Sequence, residues 1–222
     1  MKELSVFEII GPNMIGPSSS HTAGALKIAR VAKKLGPSEI CKVTFVLFGS
    51  FAKTYRGHGT DRALLAGILG MDQEDERIKE AFQIAKETGL NYEFIITEDH
   101  HYKHPNTVEI IMEDKKGNRL SIMGSSIGGG SISIDKVNGM EVFFSGEYYT
   151  LFIVHEDMPG VMAYITKCLS EYNINIAYLR AYREDKGKLA STIIEADEMI
   201  CEDVLKRIEE NTAIKYAKMI SL

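Results

Sequence analysis

The chain has 222 residues, 45% of them apolar and 26% charged, and its net charge of −5 comes from interspersed acids and bases. That length can bury the core of one large or two small domains, and the charge pattern excludes a basic nucleic-acid face and an anionic-membrane patch. No run approaches the roughly 18 apolar residues of a membrane span, and the opening MKELSVFEIIGPNMIGP lacks a signal peptide's basic start and apolar centre, so a cytoplasmic location is expected.

The first element is announced by Gly16-Pro17-Ser18-Ser19-Ser20-His21-Thr22, followed by Ala23 to Leu35 with apolar residues at helical spacing. The first turn of a helix leaves backbone N–H groups without partners and carries about half a positive charge, which makes a seat for a carboxylate or phosphate. The plain alternative is that Ser19 or Ser20 is an N-cap, worth about 1 kcal/mol. One cap needs one hydroxyl, and this run offers three beside His21 and Thr22. Gly36-Pro37 stops the helix, and Val43 to Phe48 has the β-branched and aromatic content of a buried strand. A glycine-rich loop is expected from Gly49-Ser50 to Gly57-His58-Gly59-Thr60-Asp61, then a short helix over Arg62 to Leu69 capped by Thr60 or Asp61, then a polar-faced helix over Glu74 to Thr88.

Tyr92 to Thr97 reads as a strand, interrupted by His100-His101-Tyr102-Lys103-His104-Pro105-Asn106 before Thr107 to Met112 alternates again. Lys116-Gly117-Asn118 signals a hairpin into Arg119 to Met123. That strand runs into Gly124-Ser125-Ser126-Ile127-Gly128-Gly129-Gly130. Here Ser126, Gly128, Gly129 and Gly130 could form an anion nest, or equally a bulged turn between strands. More strand follows to about Ser145, so residues 1–146 read as an α+β domain with helices early and antiparallel strands late. From 147 the pattern restarts as β-α-β-β-α-β, the ferredoxin-like order, over residues 147–222.

Cys41, Cys168 and Cys201 are odd in number and in no CxxC or CxxH spacing, which argues for reduced thiols and against a zinc or iron–sulfur set belonging to this chain alone. Walker and dinucleotide fingerprints are absent. Three imidazoles, His100, His101 and His104, invite a zinc reading, but no HExxH pattern or nearby cysteine joins them.

The motifs GPSSSHT, FGS…GHGTD, HPNT and SSIGGG, in that order ahead of the βαββαβ segment, closely resemble the β subunit of the two-chain bacterial iron–sulfur L-serine dehydratases. The first domain is also similar to the alternative-substrate-binding domain of some phosphoglycerate dehydrogenases. With Asp157-x-Pro159-Gly160 and Asn173-Ile-Asn175-Ile, the second resembles an ACT domain. The resemblance implies an ammonia-lyase of amino-acid catabolism and gluconeogenesis. L-Serine loses water to give 2-aminoacrylate, which becomes pyruvate and ammonia. It also implies a [4Fe-4S] cluster held by a partner α subunit, whose Lewis acidity aids departure of the hydroxyl, and β–β self-association through the ACT domains.

Residue by residue, the resemblance assigns His58, His104 and Asn106 to the active site, with His58 or His104 as the base; neutral imidazole is available at cytoplasmic pH. Ser18, Ser19, Ser20, His21 and Thr22 are assigned to the substrate carboxylate or the domain interface. His155, Asp157 and Asn175 fall where serine-regulated relatives bind an effector, although relatives commonly have Asn in place of Asp157. The rival reading is a non-catalytic regulatory protein, an amino-acid-binding ACT module joined to a substrate-binding-like domain; the histidine and serine motifs oppose it.

Overall fold

The computed structural model describes residues 13–99, 102–183 and 185–222, and its contacts divide the chain into two compact units, one ending at Gly139 and the other running Met140–Leu222. The sequence pattern restarts later, at 147, and the strand Met140–Phe144 groups with the second unit.

The first unit begins its helical run with a π-helical turn, Ser19–Gly24, that continues directly into α1 (Ala25–Leu35). The expected cap, Ser19 or Ser20, is therefore one or two residues late. Ser18 is the extended residue, and its side chain accepts the His21 N–H at 3.2 Å. Leu26, Ile28, Val31 and Leu35 are buried, and Lys33 and Lys34 complement the dipole in the last turn. After Gly36, β1 (Ile40–Leu47) forms.

Where a loop was expected there is a short helix, α2 (Gly49–Thr54), which buries Phe51 and Ala52. The next helix, α3 (Thr60–Leu69), is capped by Gly59 in the left-handed region, not by Thr60 or Asp61. Thr60 is fully buried as the first helical residue, and Asp61 accepts the N–H of Arg62 at 2.8 Å. The stretch expected as one helix over Glu74 to Thr88 is a 3₁₀ turn, Glu76–Glu80, capped by Asp75, leading into α4 (Ala81–Glu87).

The strands β2 (Asn91–Ile96), β3 (Thr107–Asp114), β4 (Arg119–Gly128) and β5 (Ser131–Val137) assemble with β1 in the order β2-β1-β3-β4-β5. Only β1 and β2 run parallel; the other pairs are antiparallel. Phe45, Leu47, Val108, Ile110, Met112, Ile122 and Ile134 are buried between the sheet and its helices, each worth about 1.5–3 kcal/mol on full burial.

The second unit comprises β6 (Met140–Phe144), β7 (Tyr149–Glu156), α5 (Val161–Glu171), β8 (Ile176–Arg183), β9 (Leu189–Ala196), α6 (Glu202–Glu209) and β10 (Ile214–Ile220). From β7 onward the order is βαββαβ, with an antiparallel sheet ordered β10-β7-β9-β8. Ile165 and Leu169 of α5 and Val204 and Ile208 of α6 pack with Leu151, Ile153 and Ile194. A buried carboxylate, Glu195, is held by Arg180 at 2.6 Å and by the Ser145 hydroxyl at 3.5 Å. Glu195→Gln keeps the shape and exchanges a charge-assisted bond for a neutral one. It should lower stability by about 1 kcal/mol, read as an earlier urea midpoint with unchanged slope. Among the described residues, no helix is long and apolar enough to cross a membrane.

Candidate active site

The sheet of the first unit brings the separate motifs to one end. β1 stops at Leu47, which pairs with Val108 near the start of β3, and Val108 pairs with Gly124 near the end of β4. The segments FGS, HPNT and SSIGGG therefore leave the sheet side by side. Backbone bonds tie them: the Ser50 N–H donates to the Pro105 carbonyl at 2.7 Å, Phe48 N–H to Thr107 at 3.1 Å, and Ser126 N–H to Asn106 at 2.9 Å.

The serine-rich turn closes over this end. Gly24 lets the turn meet β4 so closely that a Cβ there would fall 2.1 Å from Ser126 Oγ. His21 reaches outward from the turn. Its Nδ1 is 3.4 Å from Ser18 Oγ, its Nε2 is 3.1 Å from Ser50 Oγ, and its ring lies 4.6 Å from the ring of His58, centre to centre. The buried Thr22 hydroxyl donates to the His58 carbonyl at 3.4 Å. Ser19 and Ser20 are half-buried in the same turn. Among the candidates, Ser18, His21, Thr22 and His58 are thus directly connected, and Ser50 joins them to the loop that carries His104 and Asn106.

Two features decide what the histidines can do. The N–H of Asn106 donates to Nδ1 of His104 at 3.2 Å. A backbone N–H can only donate, so Nδ1 keeps its lone pair and neutral His104 carries its proton on Nε2. His58 differs: its Nδ1 is buried and without a partner among the described residues, as are Thr60 Oγ1 and Ser126 Oγ. A buried polar atom left unpaired costs about 1–3 kcal/mol unless a water or a ligand meets it.

His21 is held below the ordinary imidazole range, first by burial and then by the nearby charge of His58. The unfolded chain therefore binds a proton at His21 more readily than the folded one. Stability from this group is present above the ordinary value of about 6.5 and is lost as pH falls below it. His21→Gln should flatten the fall in melting temperature between about pH 7 and pH 5, and an unchanged slope would remove His21 from the account. Burial also pushes the Asp61 carboxyl up, against the pull of the Arg62 N–H.

Gly128, Gly129 and Gly130 all have positive φ in the turn from β4 to β5, with a register shift between Ser126 and Gly128. They make a bulged turn, and the anion nest at Ser126, Gly128, Gly129 and Gly130 stays a proposal. His100 and His101 of the zinc reading lie outside the described residues. Among the described residues no group of three or more His, Cys, Asp or Glu side chains could hold a metal ion. Cys168 is buried in the core of the second unit, Cys201 is exposed and Cys41 is half-buried on β1. This donor set does not fit an iron–sulfur cluster.

In the second unit, His155 is buried with Nδ1 2.8 Å from the Glu156 carbonyl and Nε2 2.8 Å from Thr192 Oγ1. Asp157 accepts from the Gly187 N–H at 3.1 Å and from Arg183 at 3.4 Å, which together hold its carboxyl below the usual range. Asn175 donates to Asp197 at 2.7 Å. His155 pairs with Ala190 at one end of β9, whereas Asn175 lies beyond Ile176, which pairs with Ala196 at the other. Within one chain these three do not meet.

Sequence reasoning passed over Ser50, which bridges His21 and the Pro105 carbonyl; its only trace was its place in FGS. Asp135 was passed over as well. It lies on β5 among buried hydroxyls, accepting from Ser125 at 2.8 Å and Ser133 at 2.9 Å.

Comparison with known proteins accounts for both units. The serine dehydratase beta chain family profile matches residues 5–137, and an AHAS small subunit-like ACT domain profile matches residues 151–214. A probable L-serine dehydratase beta chain of Bacillus subtilis is 46% identical over 95% of this chain and 94% of its own length. The L-serine dehydratase beta chain of Peptoniphilus asaccharolyticus is 41% identical over 99% of this chain and 100% of its own. A D-3-phosphoglycerate dehydrogenase of Methanocaldococcus jannaschii is 30% identical over 94% of this chain but only 39% of its own length. The chain belongs to the family of L-serine dehydratase β chains, a serine dehydratase β-chain domain followed by an ACT domain.

Proposed function

We propose that this chain supplies the proton-transfer and carboxylate-binding half of an L-serine dehydratase whose other half is a cluster-bearing α chain. The single observation that carries the reading is the meeting of His21, Ser50, His58 and the His104–Asn106 loop at one end of the sheet. A sensor has no need of that arrangement, which weighs against a purely regulatory protein.

In this reading the serine carboxylate sits at the turn Ser18–Thr22, where the N-terminal end of the helical run favours an anion. His58 takes the α-proton; its Nδ1, although buried, is without a partner among the described residues. His104 presents Nε2–H and is therefore a donor to a substrate oxygen, with Asn106 offering a donor and an acceptor beside it. The electron pair of the broken Cα–H bond becomes the Cα=Cβ double bond as the hydroxyl leaves. The water formed carries one proton away for the one His58 accepts. 2-Aminoacrylate then tautomerises and hydrolyses to pyruvate and ammonia. A [4Fe-4S] cluster, if held by the α chain, would supply Lewis acidity for the departing hydroxyl. The free cysteines among the described residues suit a cytoplasmic location.

The ACT domain is proposed to pair with a second copy. β8 is an edge strand whose outer side is unpaired in the sheet order, with Tyr178 and Leu179 exposed. Antiparallel pairing of β8 with its copy sets the Asn175 end of one chain beside the Arg183–Asp157 end of the other, which assembles the separated effector residues. Sedimentation showing one β chain per particle would exclude this.

L-Serine should alter the electronic spectrum of the cluster only when this chain is bound to the α chain. A serine-induced change in the α chain alone would take the substrate seat away from this chain.

A further inference from the structure

Across β3, β4 and β5 the paired residues Thr107, Ser125 and Ser133 form a row of hydroxyls, since Thr107 pairs with Ser125 and Ser125 with Ser133. Asp135 closes the row two residues further along β5. Its Oδ2 accepts from Ser125 at 2.8 Å and its Oδ1 from Ser133 at 2.9 Å. Ser125 Oγ is 2.8 Å from Thr107 Oγ1; with its own proton committed to Asp135, Ser125 can only accept there, so the single Thr107 proton is shared between Ser125 Oγ and the His104 carbonyl, 2.5 Å away. All four side chains are at least nine-tenths buried, and no cation pairs with Asp135 among the described residues.

A buried carboxylate answered only by hydroxyls is costly, and apolar residues of similar size would serve the sheet at least as well. The far end of the row explains it. The His104 carbonyl is the anchor of the turn that lets the Asn106 N–H reach His104 Nδ1, and that bond places the ring proton on Nε2. We infer that Asp135 is a positioning residue: through Ser125 and Thr107 it fixes the His104 carbonyl, and so the orientation and tautomer of the His104 ring. The inference rests on the proposed role of His104 for its catalytic consequence, though not for its structural content.

The structural content is read on the full chain by nitrogen NMR of ¹⁵N-labelled histidine. His104 should be the Nε2–H tautomer in the wild type and in Asp135→Asn, which retains an acceptor and a donor, and a mixture of tautomers in Asp135→Ala. Ser125→Ala, which cuts the row without removing the carboxylate, should behave like Asp135→Ala and covers the case in which that variant fails to fold. An unchanged His104 spectrum in the folded Ala variant overturns the inference.

The catalytic consequence is read on the α–β complex. Asp135→Ala should lower kcat by about 10–100-fold, the range for a group that orients a functional ligand, while KM for L-serine moves less than threefold. Asp135→Asn should recover most of the loss. In a His104→Ala background, Asp135→Ala should add less than a further twofold, because its effect passes through a ring no longer there. Additive losses would make Asp135 a general stabiliser and overturn the proposal. A wild-type complex without pyruvate release would defeat the functional reading instead, leaving the NMR result to decide the role of Asp135.

Discussion

His58→Ala should lower pyruvate release by the α–β complex by at least about a hundredfold, with the complex and its cluster intact. The reason lies in what each ring nitrogen is already doing. His104 spends its Nδ1 lone pair on the Asn106 N–H and offers only a donor, while His21 is spaced between the hydroxyls of Ser18 and Ser50. His58 alone of the three has a buried nitrogen without a partner among the described residues. His104→Gln, which keeps an N–H at about the reach of Nε2, should retain more turnover than His104→Ala. His58→Gln should not be spared in this way, because an amide is no base at neutral pH. Turnover within a few-fold of wild type in His58→Ala would remove the base from this position.

Gly49→Ala should be the most damaging small change outside the reacting groups. Gly49 has φ of +52°, where an alanine costs about 1–2 kcal/mol, and its added Cβ would lie 2.5 Å from the Pro105 carbonyl oxygen and 2.9 Å from Pro105 Cα. Those are backbone atoms and cannot swing aside. The His104–Asn106 loop must therefore retreat from α2, stretching the bond from Ser50 N–H to the Pro105 carbonyl that ties this loop to the residue His21 meets. The expected cost is about 2–4 kcal/mol of stability together with at least a tenfold loss of turnover. Chemical denaturation gives the first and steady-state kinetics of the complex the second. Wild-type values in both would mean that the close approach of α2 and Pro105 does not position the site.

The sequence made the second unit legible almost element by element. The β-branched and apolar runs in Tyr149–Glu156 and Leu189–Ala196 and the helical spacing in Val161–Glu171 are local signals, and the structure places those elements within a residue or two of expectation. The first unit was harder, for identifiable reasons. The helix Gly49–Thr54 was hidden because the glycine and serine at its start read as loop, and only burial of Phe51 and Ala52 against the rest of the unit makes it a helix. The cap at Ser18 was misplaced because a π-helical turn begins earlier than the apolar periodicity suggests.

The motifs of the site were visible, but their meeting was not. It depends on the register that sets Leu47 against Val108 and Val108 against Gly124, and register is a long-range property. Asp135 escaped notice for a related reason. Ser131, Ser133 and Asp135 alternate with Ile132 and Ile134, a pattern that by itself suits a polar face toward water, yet Ser133 and Asp135 are buried. No periodicity separates a polar row facing water from one turned inward to hold a loop.

The most direct test of the account is pyruvate release from L-serine under anaerobic conditions, after iron–sulfur reconstitution, by this chain with its α partner and by each chain alone. The account predicts pyruvate from the pair and none from either chain by itself. Pyruvate from the α chain alone, or none from a pair with an intact cluster, would contradict the claim that this chain completes the active site.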